Sequence, residues 1–387
     1  MTPAQVAATV LLIAPLTACV SRPVAEAPPV GPTATVAYDD ASMKKHPGDT
    51  SDSADLGSPQ RPHEERSIDS TPAAGPGSRR RGGRFVNLAG ARELPGIGEM
   101  VPFFLRKAWT SIVGRAGGAP LVPFDREALM HNPSITWIGH ATMLVRMDGV
   151  TFLTDPIFSE RASPVPFAGP KRLVPPGVPL SELPPIDFVL VSHDHYDHAD
   201  MDSLRALAAR GARFVVPLEL GEVVRSVGGS AVELDWWQST MIGGVRIHCV
   251  PSQHFSGRSI TDGNTRLWAG WVVEGPTRRF YHAGDTGYFA GFAEIGTRLG
   301  PIDLAAIPIG AYDPPSIMRV VHLNPEEALQ AARDLRASRV VGMHFGTFDL
   351  TDESPDEPPR RFHAAAAQFG FDEDHAWILN VGETRRW

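Results

Sequence analysis

The stretch Val191-Ser192-His193-Asp194-His195-Tyr196-Asp197-His198 decides how this chain is read. It follows an apolar, strand-like run at 188–191 and precedes a helical pattern over Met201–Ala209. Imidazoles and carboxylates crowded at the end of a strand can aim different side chains at two neighbouring cations, since both groups ligate divalent ions of the zinc type. His193 and His195 would serve one ion. Asp197 and His198 would serve a second, because the turn into the helix reverses the direction of the side chains. A solvated polar loop is the plain alternative, but it gives no reason for a His-x-His-x-Asp-His spacing at a strand terminus.

Further pieces of the same chemistry lie downstream. His254 stands in Ser252-Gln253-His254-Phe255-Ser256-Gly257-Arg258, and Asp285 in Ala283-Gly284-Asp285-Thr286-Gly287-Tyr288 after an apolar pair at 280–281. His344 stands in Met343-His344-Phe345-Gly346-Thr347-Phe348, again behind an apolar strand. A lone His or Asp is more often a hydrogen-bonded surface or core group than a ligand. The series of segments, each following strand-like sequence, carries the weight.

The first run resembles the H-x-H-x-D-H signature of the metallo-β-lactamase superfamily, and the later segments follow in that family's order. Trp137-Ile138-Gly139-His140-Ala141-Thr142, the Gln-His-x-Ser-Gly-Arg, Gly-Asp-Thr-Gly-Tyr and His-Phe-Gly-Thr-Phe segments look like the N-acyl-phosphatidylethanolamine-hydrolysing phospholipase D group and its bacterial relatives. The likeness covers residue 134 to the carboxyl terminus. The ascorbate-6-phosphate lactonases share the Gly-His-Ala-Thr segment and keep a lactonase in play. The resemblance implies an α/β fold of the metallo-β-lactamase type, an αβ/βα sandwich of two packed sheets with helices on the outer faces. It also implies two divalent ions, expected to be zinc: His193, His195 and His254 on one, Asp197, His198 and His344 on the other, with Asp285 bridging. Asp155, in Leu153-Thr154-Asp155-Pro156, matches an early aspartate that orients a ligand and its turn, and His140 takes a structural or supporting role. His322, in Val321-His322-Leu323-Asn324-Pro325-Glu326, matches a site histidine of the phospholipase group and is expected near the leaving oxygen or a phosphate oxygen. His131, His248, His282 and His375 have no motif behind them.

The implied reaction is phosphodiester hydrolysis by a metal-activated hydroxide, with Asp197, Asp285 and His322 as catalytic residues and a phospholipid or other small phosphodiester as substrate. Hydrolysis of a lactone, carbonyl ester or lactam is the rival, since the fold alone does not choose the electrophile. A zinc- or lipid-binding envelope lipoprotein without turnover is the reading of another class. The formal net charge of −8 argues against nucleic acid as a partner.

The rest of the chain sets the domain organisation. Short apolar runs alternating with helical patterns indicate an α/β layered domain over 134–387. With 42% hydrophobic residues the chain can bury a sizeable core, while 36 prolines and 37 glycines mark much irregular sequence. Residues 1–19 read as a signal-like segment ending in Leu16-Thr17-Ala18-Cys19, which resembles a lipobox, although no Lys or Arg precedes the apolar stretch. The expected location is the cell envelope, at a membrane surface through Cys19, or the cytoplasm if that segment is unused. Residues 20–84, rich in Pro, Gly and Ser, read as a disordered tether in which Arg79-Arg80-Arg81 is a solvated charge run. Residues 85–133 read as an extension packing on the core. Within it Leu105, Trp109, Ile112 and Val113 share a helical face, which reads as a helix covering the domain edge, with an interfacial helix as the alternative. The other cysteine, Cys249, lies in an apolar run and reads as a buried inert thiol.

Overall fold

The computed structural model describes residues 75–89, 97–259 and 261–387, without the side chains of Ile97, Ile112 and Val113. The signal-like segment with Cys19, and the expected tether up to residue 74, lie outside the described residues. The last residues of that expected tether are structured: Arg79–Arg81 (β1) pairs with Arg84–Val86 (β2) as an antiparallel ribbon. The charge run stays exposed, as expected, while Phe85 beside it is buried and the Arg80 guanidinium lies 4.0 Å from its ring centre and pairs with Glu219.

The helix expected within residues 85–133 is α1, Ile97–Val113. Its orientation departs from expectation. Met100 and Phe103 are buried, whereas Leu105 and Trp109 of the expected core face are 51% and 64% exposed. Lys107 shares the inward side with Met100 and Phe103 and pairs with Asp349, which also takes Arg115 beyond the helix end, while the largely exposed Arg106 reaches Asp352.

The domain from residue 134 onward is two halves built on one plan. In the first, Ser134–Gly139 (β3), Thr142–Met147 (β4) and Val150–Thr154 (β5) form an antiparallel meander. Phe188–Leu190 (β6), Arg213–Pro217 (β7) and Ser230–Leu234 (β8) then add in parallel, separated by α2 (Met201–Ala209) and α3 (Gly221–Ser226). In the second, Ser239–Ile242 (β9), Val245–Val250 (β10), Gly270–Glu274 (β11) and Arg279–His282 (β12) meander. Leu304–Pro308 (β13), Val340–Met343 (β14) and Ala376–Trp377 (β15) follow in parallel. The helices Gly291–Leu299 (α4), Pro315–Met318 (α5), Pro325–Asp334 (α6) and Glu357–Ala366 (α7) lie between these parallel strands. Thr384–Arg386 (β16) returns to pair with β3, so the carboxyl terminus completes the first seven-stranded sheet.

Alternation along the strands explains the layering. Phe152, Phe188, Leu190 and Val215 join the core between the sheets. Their neighbours Leu153, Val189, Val191 and Phe214 face a second cluster with Leu204 and Leu207 of α2 and Val223 and Val224 of α3. Both faces of the sheet are therefore covered, and its strands read as continuous apolar runs. Burying each such side chain contributes about 1.5–3 kcal/mol. Phe292 and Ile295 of α4, Leu329 of α6 and Phe362 of α7 pack into the core on the second sheet. The parallel strands of both sheets end at a common rim, where the loops after β5, β6, β12 and β14 meet.

Candidate metal centre

The His193–His198 segment leaves β6 as an extended stretch and tightens into a turn in which the amides of His198 and Ala199 both donate to His195 O. Asp200 then caps α2 by accepting from the amide of Ser203. The extended part sends His193 and His195 one way and the turn sends Asp197 and His198 another.

Two sets of ligand-type atoms result. His195 Nδ1 lies 2.9 Å from His193 Nε2 and 3.3 Å from His254 Nε2. In the other set, His198 Nε2 is 3.2 Å from His344 Nε2, and Asp197 Oδ2 is 3.5 Å and 3.6 Å from those two atoms. Asp285 stands between. Its Oδ2 is 3.9 Å from His193 Nε2, 3.8 Å from His254 Nε2 and 3.2 Å from His198 Nε2, and its Oδ1 is 3.1 Å from His344 Nε2. Ligand atoms around a tetrahedral zinc ion stand about 3.3 Å apart, the edge that follows from bonds of about 2.0–2.1 Å. The structure thus brings together all seven residues expected to hold metal.

The partners of the outer nitrogens test whether this set suits cations. Ser192 Oγ donates to Asp155 Oδ2 and must therefore accept from His193 Nδ1, at 2.9 Å. His198 Nδ1 donates to Asp155 Oδ2 at 2.9 Å, and His254 Nδ1 to Val321 O at 3.0 Å. Each of these rings then aims an Nε2 lone pair inward. A single N–H on His195 could serve only one of the lone pairs of His193 and His254, whereas one cation serves all three nitrogens. Among the described residues Asp285 Oδ1 is buried with no hydrogen-bond donor. The donor set fits a pair of divalent cations.

Charge follows geometry. Burial, and then the neighbouring histidines, hold His193 and His254 well below the usual imidazole pKa. Burial opposes ionisation of Asp197 and Asp285, but His198 beside them holds both carboxyls well below their usual range. His344 is driven down by burial and up by Asp285 and Asp197, and ends at about 9.

Supporting residues hold the ligand set; Asp155 takes the orienting place expected of it, whereas His282 and Asp194 carry no sequence signal of their own. Asp155, fully buried, accepts from four donors: the Ser192 amide at 2.6 Å, Ser192 Oγ at 2.8 Å, His198 Nδ1 at 2.9 Å and His282 Nε2 at 2.9 Å. It thereby ties the two halves together, since His282 ends β12. Asp194, also fully buried, accepts from the Gly257 amide at 2.7 Å and Arg266 Nη1 at 2.9 Å, and so docks the His254 loop on the His193–His198 turn. The ordinary spacing of His282 and Asp194 hides these roles. Gly284, at φ 59°, lets the strand before Asp285 approach Ser192, where a Cβ would stand 2.5 Å from Ser192 Cβ. His322 lies on the rim, 12% exposed, with Nδ1 3.9 Å from Asp285 Oδ2. Burial pulls its pKa down to about 4, so its imidazole is neutral at pH 7.

A sandwich of two matching halves, with histidines and aspartates gathered where their parallel strands end, is the αβ/βα arrangement with a candidate metal site at its rim. The chain belongs to the metallo-β-lactamase superfamily: residues 151–345, half of its length, match the β-lactamase superfamily domain. It is 46% identical over 240 residues to an uncharacterized protein of Mycobacterium tuberculosis, a match covering 60% of this chain. It is 44% identical over 228 residues, 56% of this chain, to N-acyl-phosphatidylethanolamine-hydrolyzing phospholipase D 1 of Caenorhabditis elegans. In both cases the match spans 64% of the relative's own length. The isothiocyanate hydrolase from Delia radicum gut bacteria has the same fold, with a TM-score of 0.52 at 21% identity over 66% of this chain and 99% of that one.

Proposed function

We propose that the chain is a zinc-dependent phosphodiesterase of the N-acyl-phosphatidylethanolamine phospholipase D type. The observation that carries this reading is the pair of ligand sets facing one another across Asp285, in a chain 44% identical over 228 residues to a worm enzyme named for that reaction. In this reading His193, His195 and His254 would hold one cation, Asp197, His198 and His344 the other, and Asp285 would serve both. Two bound divalent cations would lower the pKa of a water between them and offset charge developing on an attacked phosphoryl group. The protein's own groups do the rest. Asp155 and Val321 O keep the His198 and His254 rings in the tautomers that present Nε2. Asp285 keeps the two sets at a fixed separation. His322, neutral at pH 7, accepts the proton released on attack and returns it to the alkoxide that leaves.

Lipid as substrate, and a membrane surface as partner, draw support from α1. Val101, Leu105 and Trp109 are 42%, 51% and 64% exposed at four-residue spacing, an unburied apolar stripe. Lys107 of the same helix, with Arg115 just beyond its end, pairs with Asp349, five residues after His344, so the helix is tied to the segment that carries a proposed ligand. An envelope location through Cys19 belongs to the same reading. The test is incubation of the zinc-loaded chain with an N-acylated phosphatidylethanolamine, a γ-lactone and a β-lactam, with products identified by mass spectrometry. Release of an N-acylethanolamine and a phosphatidate is the expected result. Turnover of the lactone or lactam alone would overturn the phosphodiesterase reading.

A further inference from the structure

His140 carries unusual backbone geometry for a residue that touches neither the His193–His198 turn in sequence nor the proposed ligand set in role. It sits in the turn between β3 and β4, beyond an irregularity in strand register at Trp137/Gly139, with φ at 56° in the left-handed region. That region is sparsely populated by residues with a Cβ and persists only where surrounding contacts over-determine it. The contacts are present. The His140 amide donates to Thr347 Oγ1 at 2.7 Å, and its carbonyl accepts from Trp137 Nε1 at 2.9 Å and from the His344 amide at 3.1 Å. Its ring is 1% exposed, lies 3.9 Å centre to centre from the His344 ring, and meets the Phe348 ring edge-on at 5.3 Å. The strained turn therefore delivers one fixed ring, and that ring places Nε2 2.9 Å from Asp197 Oδ2.

We propose that His140 is a positioning residue, which donates Nε2–H to Asp197 Oδ2 and locks that carboxylate in its cation-facing orientation. The inference rests on the metal-binding part of the proposed function and not on its substrate. His140 Nε2 stands within ligand reach of Asp197, His198 and His344, so two roles compete for it, ligand and donor. Asp197, His198 and His344 stand 3.2–3.6 Å from one another, and each of the two histidines has an Asp285 oxygen at 3.1–3.2 Å, so the second cation has four candidate ligands without His140. His140 Nε2 lies 2.9 Å from Asp197 Oδ2, an ordinary N–H···O distance. An imidazole facing a carboxylate through Nε2 carries its proton there and has no lone pair left to offer on that side. Asp197 needs such a partner. Its carboxylate is 15% exposed, against 3% for Asp285 and none for Asp155, and among the described residues its other close nitrogens belong to His198 and His344 of the ligand set. Partners of this kind typically change metal affinity 10- to 100-fold.

The experiment is a zinc titration of the metal-stripped full chain by competition with a chromophoric chelator, comparing wild type, His140→Phe and His140→Gln. Phenylalanine keeps a ring against His344 without a donor, and glutamine returns an N–H near the Nε2 position without the ring. The expected result is two binding steps in wild type, of which His140→Phe weakens one by about 10- to 100-fold and leaves the other unchanged, while His140→Gln restores most of the loss. Equal weakening of both steps in His140→Phe would show a folding effect and overturn the proposal. So would wild-type binding by His140→Phe, or a glutamine variant no better than the phenylalanine one. Failure of the chain to cleave any phosphodiester leaves this readout intact, whereas absence of zinc binding in wild type removes the metal centre itself.

Discussion

Asp155→Asn probes the support of the metal centre at a residue that would never touch the cations. Asp155 Oδ2 accepts from Ser192 Oγ, His198 Nδ1 and His282 Nε2, and Oδ1 accepts from the Ser192 amide. The better amide orientation keeps oxygen at the Oδ2 position and turns NH₂ against the Ser192 N–H, which sits 2.6 Å from Oδ1 in the wild type. One charge-assisted bond is then lost, at about 1.5–3 kcal/mol, and three others weaken by about 1 kcal/mol each. Relief from burying a carboxylate offsets part of this, which leaves a net loss of about 2–4 kcal/mol in the metal-free chain. His198 also loses the anion that makes its Nε2 a better ligand, so zinc affinity should fall by about 10- to 100-fold at one site. Burial raises the Asp155 pKa, but His282 and His198 outweigh it and hold the carboxyl well below its usual range. The folded-state pKa is thus depressed, so the stabilisation is complete above the unfolded carboxyl's value near pH 4 and fades as pH falls below it. The gap between wild type and Asp155→Asn should narrow accordingly in urea unfolding carried out from pH 7 down to pH 3. An asparagine variant with wild-type stability and two wild-type zinc affinities would refute the claim that Asp155 links the halves through His198 and His282.

Asp285→Ala should abolish tight binding of both cations, while His254→Ala costs chiefly one; metal analysis after gel filtration distinguishes them, and a variant retaining two ions would remove the bridging role. His322→Ala should keep both metals and lose on the order of 10²- to 10⁴-fold in kcat on a diester with an alkoxide leaving group. It should lose much less on bis-nitrophenyl phosphate, and equal losses on the two substrates would exclude proton delivery. Cys19→Ser should move the full chain from the membrane fraction to the soluble one on cell fractionation, and an unaltered distribution would break the lipobox reading.

Metal chemistry made the centre legible because it needs particular side chains in a contiguous turn. His193, His195, Asp197 and His198 are spelled out within six residues, and His254, Asp285 and His344 each follow an apolar strand whose end places them on the rim. His282 was not legible. It closes β12 like any buried strand residue, and its partner Asp155 is 127 residues away, a pairing created only when the two sheets pack. Asp194 is hidden for a related reason, since its work is done on Arg266 and the Gly257 amide of another loop. The edge strand β16 is Thr-Arg-Arg, with no apolar pattern, because backbone pairing with β3 and a 2.7 Å contact between the Thr136 and Thr384 hydroxyls hold it there.

The same limit explains α1, where periodicity located a helix but assigned its faces the wrong way. Hydrophobic pattern reports which side of a helix is apolar, and packing follows that side only when nothing stronger competes. Here Asp349, 8% exposed and 242 residues beyond Lys107, draws Lys107 and Arg115 inward. Ion pairs of this partly buried kind are held by a carboxylate that would otherwise lose its solvation without compensation. Leaving Val101, Leu105 and Trp109 outside forgoes about 1.5–3 kcal/mol of burial for each large side chain. If the substrate is a bilayer lipid, as proposed, the bilayer would supply an apolar phase to take up the stripe. On that proposal the exposed helix face and the lipid substrate would be two aspects of one arrangement.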